Sequence, residues 1–201
     1  HFTSTDGLAI LPADYTFLAG DLGVHSFTNS VTLKTSGEQK LTARDTLNTW
    51  LAGAQTAITV DPASPASLVL GGHPDSIVAG TAGTITVTAK DAFGNRATAY
   101  TGTVTFSSSD GQATLPADYT FLPGDAGTHT FTNGLTLKTV GSQSVTVTDT
   151  VNGAFTATQS AISVNAAATA SLVVSGFPDP ITAAVSGTIT VSANATDNVV
   201  V

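Results

Sequence analysis

Cysteine and methionine are absent from the 201 residues. That excludes disulfides, thiolate metal sites and thiol nucleophiles. Basic residues are scarce: six Lys and Arg stand against fourteen Asp and Glu, a formal charge of −8. A nucleic-acid partner requires a basic footprint to neutralise phosphates, so none is expected. The acids are thirteen Asp and a single Glu, Glu38. Asp bonds the backbone in turns, whereas Glu suits helix interiors, so the bias argues against helix. No apolar run approaches the ~18 residues that a membrane helix needs. The chain opens on His1 with no apolar leader, and is expected to be a processed form or an excerpt.

What is abundant is threonine, 36 residues, accompanied by Val, Ile, Gly and Ser. This is strand and turn chemistry. Charged residues make up only 10% of the chain, so exposed strand faces must be covered largely by Thr and Ser. An acidic, cysteine-free, Thr-rich chain of this kind suits the exterior of a bacterial cell.

One stretch organises the rest. Leu11–Thr35 reads LPADYTFLAGDLGVHSFTNSVTLKT, and Leu115–Thr139 reads LPADYTFLPGDAGTHTFTNGLTLKT. The offset, Leu11 to Leu115, is 104 residues, and it holds along the chain. Residues 1–61 and 105–165 agree at 34 of 61 positions without a gap. Further on, Ser67-Leu68-Val69 recurs as Ser171-Leu172-Val173, and Gly83–Val87 as Gly187–Val191. A period near 100 is too long for a solenoid unit of roughly 20 to 50 residues, and fits a separately folding sandwich.

The expected fold is all-β: tandem seven-stranded sandwiches of about 104 residues per repeat. Strand A is expected at Ala66–Leu70 and strand B at Gly83–Ala89, where Ile and Val alternate with Thr. Strand C is expected at Tyr100–Ser107, a short strand D at Tyr119–Phe121, and strand E at Thr128–Lys138, with a break at Asn133-Gly134. Strands F and G follow at Gln143–Thr148 and Phe155–Val164. Turn residues separate them every 8 to 14 positions, the pattern of an immunoglobulin-like sandwich. The domain expectation is therefore 1–61 as the back part of one repeat (strands C to G), 62–165 as a complete repeat, and 166–201 as the front part of another (strands A and B). Short joints, Asp61–Pro65 and Asn165–Ala168, predict a fairly stiff rod. Two readings of the part-units stand open: a window on a longer tandem array, or chains that complete one another head-to-tail by strand addition.

The unit resembles the bacterial immunoglobulin-like domains of large secreted and surface proteins of invasin and intimin type, and is similar to filamin-type repeats. The residues that carry this are Ala66–Val69, Ala82–Val87, Asp91–Asn95, Tyr100–Asp110, Asp125–Phe131 and Gly141–Val147. The resemblance implies the sandwich fold and a spacer or binding-tip role. The last copy departs from it, because Asp91-Ala92-Phe93-Gly94-Asn95 becomes Ala195-Thr196-Asp197-Asn198-Val199.

Chemistry-bearing residues recur with the repeat, which favours structural roles. Asp14 and Asp21, like Asp118 and Asp125, stand seven apart. Calcium takes six to eight oxygens from loop carboxylates and carbonyls. Asp91, Asn95, Asp110, Asp118 and Asp125 are the candidate ligands. No D-x-D-x-D-G run accompanies them, and Asp closes turns without any metal, which is the commoner case. His25 and His129 occupy matching D-x-G-x-H-x-F frames and are expected at a domain corner rather than as ligands or bases. His73 becomes Phe177 in the next copy, so its slot is expected to hold a packed ring. Lys34/Lys138, Asn29/Asn133 and Asp45/Asp149 offer the components of a Lys–Asn cross-link, against the simpler reading of exposed strand residues. Trp50, replaced by Ala154, is expected at a strand edge or interface. No nucleophile motif, phosphate loop or close carboxylate pair stands out, so no enzyme is expected. The leading expectation is a structural segment of an extracellular fibre or adhesin stalk. Its partners would be neighbouring repeats or identical chains. The alternative is a carbohydrate- or calcium-binding module.

Overall fold

The computed structural model describes residues 1–195. The protein is all-β, and its only described helices are two single 3-10 turns, Ala19–Asp21 and Pro123–Asp125. None of its described helices is long and apolar enough to cross a membrane. The strands fall into three groups along the chain. The first holds β1 (Phe2–Ser4), β2 (Gly37–Arg44) and β3 (Ala52–Val60). The second begins with β4 (Pro65–Gly71), β5 (Ser76–Val78), β6 (Ala82–Asp91) and β7 (Thr103–Ser108). It continues through β8 (Tyr119–Thr120), β9 (Thr128–Thr136), β10 (Gly141–Asp149) and β11 (Thr156–Asn165). The third holds β12 (Thr169–Ser175) and β13 (Thr190–Ala195).

The middle group is a sandwich of two sheets, in the orders β4-β6-β9 and β5-β11-β10-β7-β8. Side chains alternate as a half-buried strand requires. On β6, Ile85, Val87 and Ala89 point into the core, and Thr84, Thr86 and Thr88 point away. Leu68 and Val87 of one sheet meet Val104 and Val147 of the other, with Phe121 beneath. Ile85, Leu135, Val145 and Ile162 fill the opposite half of the same layer. Each fully buried Val, Leu, Ile or Phe contributes roughly 1.5–3 kcal/mol. On the outer faces, Thr hydroxyls pair across strands: Thr86 with Thr130 at 3.0 Å, Thr146 with Thr158 at 2.8 Å, and Thr103 with Thr120 at 2.8 Å. Such pairs add to strand pairing where charged residues are few.

The middle group has eight strands rather than seven. The additional one, β5, pairs in parallel with the end of β11, Ser76 opposite Ser163 and Val78 opposite Asn165. Three residues between Pro74 and Gly80 are too short for a period-2 signal. The expected break in strand E is a bulge: Asn133 takes φ 53° and the β6–β9 register shifts between Gly83 and Ile85, yet β9 continues.

The outer groups repeat parts of the middle one. β1, β2 and β3 reproduce the register of β7, β10 and β11, including the bulge at Gln39/Leu41 that matches Gln143/Val145. β12 and β13 reproduce β4 and β6, so Leu172 faces Ala193 as Leu68 faces Ala89. Strands D and E expected within residues 1–61 do not form. Residues 24–31, counterparts of most of β9, carry no strand, and Thr32 holds one isolated bridge to Ile10. In the middle group β9 is a strand because β6 supplies its hydrogen bonds; no described strand lies beside residues 24–31. Of the segment Ala195–Val199, residues 196–199 lie outside the described residues.

Candidate functional site

The recurring aspartates anchor loops. Asp110 follows β7 and is buried. Its Oδ2 accepts from the Lys138 amide at 2.6 Å and the Thr139 amide at 3.0 Å. Its Oδ1 accepts from the Thr139 hydroxyl at 2.6 Å and the Gln112 amide at 2.9 Å. Asp6 does the same with Lys34, Thr35 and Leu8. Burial raises the Asp110 carboxyl, but the Thr139 hydroxyl and amide and the Lys138 and Gln112 amides outweigh it and bring it down to about 2. The same opposition leaves Asp6 well below the usual carboxylate range.

Asp125 serves a different corner. Its Oδ2 accepts from the Leu122 amide at 2.7 Å and the Tyr119 hydroxyl at 3.0 Å, and its Oδ1 lies 3.1 Å from His129 Nδ1. The Leu122 amide above all, with Tyr119 and His129, lowers this carboxyl against the cost of its burial. The His129 ring stacks on Tyr119 at 3.8 Å, as His25 does on Tyr15. Each histidine thus stacks on a tyrosine and faces an aspartate four residues before it. Asp118 is exposed. His73 is buried, with Nδ1 2.9 Å from the Pro74 carbonyl and Nε2 without a partner. Its ring lies over Gly83, where a Cβ would come within 2.8 Å of it; Phe177 covers Gly187 in the same way. The slot takes an aromatic ring in both copies.

Lys138 Nζ reaches the Thr114 hydroxyl at 3.1 Å, while Asp149 accepts from the Tyr100 hydroxyl at 2.5 Å. Asn133 stands at the β9 bulge. The Lys138 ammonium and the Asp149 carboxylate of the Lys–Asn cross-link reading therefore have other partners. Trp50 is exposed on the β2–β3 connection.

Among the described residues, Asp91 and Asn95 form an arrangement that spans two strand groups. Asp91 Oδ1 accepts from the Phe93 and Asn95 amides, each at 2.9 Å, closing the turn after β6. Its Oδ2 accepts from Asn95 Nδ2 at 2.8 Å and from the Ala63 amide, in the connection after β3, at 2.9 Å. Asn95 then reaches into the first group. Its Nδ2 donates to the Lys34 carbonyl at 2.7 Å, and its Oδ1 accepts from the Ser36 amide at 3.0 Å. Lys34 Nζ lies 5.9 Å from the Phe93 ring centroid. Asp6 holds Lys34 and Thr35 from the other side, so the clasped loop is itself fixed. The counterparts of Asp91 and Asn95 are Ala195 and Val199, so these clasping side chains are not repeated in the sequence.

The five candidate ligands are not brought together. Asp91 ends β6, while Lys138 and Thr139, which hold Asp110, follow the β9 end that pairs with the start of β6. The oxygens of Asp91, Asp110 and Asp125 already accept N–H or O–H donors, and Asn95 is taken up by the clasp. Among the described residues, no group of three or more His, Cys, Asp or Glu is placed to hold a metal ion.

Two faces remain open. In the first group a hollow of about 910 Å³ is lined by Phe2, Tyr15, Phe17, His25, Phe27 and Leu51, among others. Their counterparts, Phe106, Tyr119, Phe121, His129, Phe131 and Phe155, pack in the middle sandwich. Phe121 is 1% exposed and Phe17 59%. In the third group Leu172 is 67% exposed against 4% for Leu68, and Val191 55% against 0% for Val87.

No family model matches the chain, and no curated protein matches it. Among solved structures it is similar to domains 4–9 of the surface layer protein SbsC, at 19% identity and TM-score 0.38, over 86% of this chain and 26% of that one. It is similar to rSbsC(31-844), an S-layer protein, at 18% identity and TM-score 0.35, over 86% and 21%. A third is β-glucuronidase 3 of Bacteroides uniformis, at 16% identity and TM-score 0.37, over 63% and 16%. The chain spans about a quarter or less of the length of each.

Proposed function

We propose that the chain is a structural repeat segment of a bacterial extracellular fibre or surface stalk. Its repeats are immunoglobulin-like, divided as 1–61, 62–165 and 166–201, and its partners are neighbouring repeats or identical chains. The sheet orders β4-β6-β9 and β5-β11-β10-β7-β8 support that topology. The observation that carries the function is the clasp from Asn95 to the Lys34 carbonyl and the Ser36 amide, with Asp91 holding Asn95 and the joint at Ala63. Side-chain-to-backbone bonds from one repeat to the previous one oppose swing at the joint. Resistance to swing is what a spacer needs, and a solitary binding module has no use for it.

Small-angle X-ray scattering of the chain tests this. We expect an elongated particle, and a broader distribution of its maximum dimension in Asn95→Ala, which loses both bonds to the first group. A compact, near-spherical particle would sink the stalk reading. An elongated particle unchanged by Asn95→Ala would keep the stalk and remove the clasp as the cause of its stiffness.

A further inference from the structure

We infer that Asn152, in the turn between β10 and β11, is a site of spontaneous deamidation, singled out by the fold from the other Asn-Gly pair of the chain. The reaction takes only water as co-reactant, and the chemistry is independent of the stalk reading.

Two Asn-Gly pairs occur, Asn133-Gly134 and Asn152-Gly153, beside two Asp-Gly pairs, Asp6-Gly7 and Asp110-Gly111. In such pairs the glycine nitrogen can attack the preceding side-chain carbonyl, because no Cβ obstructs ring closure. At Asn152 the Gly153 nitrogen bonds to Cγ, the Cγ–Nδ2 bond breaks, and ammonia leaves with the proton that Gly153 gives up. Water then opens the succinimide at either carbonyl, leaving aspartate or isoaspartate.

The turn is arranged for the first step. The Val151 and Asn152 amides donate to Asp149 Oδ1, each at 2.8 Å, and the Phe155 amide donates to the Asn152 carbonyl at 2.8 Å. The Ala154 amide donates to Asn152 Oδ1 at 3.2 Å. That bond closes a ring of atoms that includes both Cγ and the Gly153 nitrogen. It also places a donor on the oxygen where negative charge develops during the attack. Among the described residues, the Gly153 N–H has no acceptor and Asn152 Nδ2 has no partner. Neither nucleophile nor leaving group has a bond to break, and both residues are exposed.

The other pairs are held differently. Asn133-Gly134 lies inside β9, with Asn133 at φ 53°. A Cβ on Gly134 would come within 2.9 Å of the Phe131 Cβ, so the backbone there is closely packed. Turning it to close the ring would disturb the ladder to β6. The carboxylates of Asp6 and Asp110 are ionised and fixed by amide and hydroxyl donors, which makes them poor electrophiles. The first repeat supplies an internal control. Asn48 sits in the same turn, its amide on Asp45 and its carbonyl on the Leu51 amide. Thr49 follows it, and that β-branched side chain hinders ring closure.

The product puts a second carboxylate into a turn that the Asp149 carboxylate already closes, and isoaspartate adds a methylene to the backbone. Both loosen the β10–β11 corner as the protein ages.

Peptide mapping decides this. Folded wild type, wild type in guanidinium chloride and folded Gly153→Ala are incubated in mildly alkaline buffer. Mass spectrometry with electron-transfer fragmentation then separates aspartate from isoaspartate. A Cβ on Gly153 meets nothing within 4 Å, so the alanine variant keeps the fold. In the folded chain Asn152 is expected to lose its amide several-fold faster than Asn133, with Asn48 slower still. Denaturant should bring Asn133 and Asn152 to similar rates, and Gly153→Ala should slow Asn152 several-fold. An Asn152 that keeps its amide in the folded chain overturns the inference, as do equal folded-state rates at Asn133 and Asn152. A rate unchanged by Gly153→Ala also overturns it, because ring closure would not be the route.

Discussion

Residues 24–32 and 128–136 have closely related sequences, VHSFTNSVT and THTFTNGLT, and different structures. The second is the nine-residue strand β9. The first is irregular, apart from the bridge at Thr32. Three shared features show that the local sequence acts alike in both copies. Asn29 and Asn133 take φ of 52° and 53°. His25 and His129 stack on their tyrosines at 3.8 Å. Asp6 and Asp110 anchor the following loops through the same four donors. What differs is the neighbour. β6 offers β9 a ladder and covers Phe121, whereas nothing described covers Phe17. Strand state here is a property of the pair of segments, while loop closure belongs to the segment itself.

The largest expected effect comes from the apolar half of that contrast. Phe121→Ala should cost about 3–5 kcal/mol, the range for a buried aromatic. Phe17→Ala should cost under about 1 kcal/mol, because this residue is already mostly exposed. Urea unfolding followed by peptide-resolved hydrogen exchange reads each group separately. Equal costs at the two positions would break the contrast between the covered and the open copy.

The polar half should behave in the opposite way. Asp110→Ala and Asp6→Ala each strip the acceptor from three amides and one hydroxyl, and each should cost about 2–4 kcal/mol. The costs should agree within about 1 kcal/mol, since neither loop depends on the second sheet. A near-zero cost at Asp6 alone, in the same urea titration, would show that the open group is looser than its bonds imply.

Acid should have a smaller, graded effect. The folded Asp110 carboxyl lies at about 2, below its ordinary 3.8. Its contribution is complete above about pH 4 and fades as pH falls towards 2. That is on the order of 2 kcal/mol for this group. Melting of wild type and Asp110→Asn at pH 6 and pH 2.5 should show the difference between them shrinking in acid. A difference independent of pH would mean that the carboxylate charge is not what the loop uses.

Much of this was legible in the residues. The offset of 104 and the Ile/Val–Thr alternation of β6 declare a repeated, all-β unit, and Asp-rich turns mark its corners. Six of the seven expected strands appear in the middle group within a few residues, and the seventh shrinks to the two residues of β8. β5 escaped because three residues carry no period, and it pairs in parallel with a strand 87 positions away, Ser76 to Ser163. Asp91 and Asn95 were legible as oxygen donors in a turn. Their partners were not, because Lys34 and Ser36 lie 61 and 59 residues from Asn95.

The sequence by itself determined the local events. These are turn closure by Asp, the left-handed Asn at the bulge, Tyr–His stacking, and the sides of each strand that prefer water. Each depends on bonds or contacts within a short reach or within one hairpin. The tertiary structure alone decided whether a strand-forming sequence becomes a strand, and whether an apolar face becomes a core. Both outcomes require a second segment to supply the missing hydrogen bonds and exclude water. Nothing in residues 24–32 can say whether that segment is at hand.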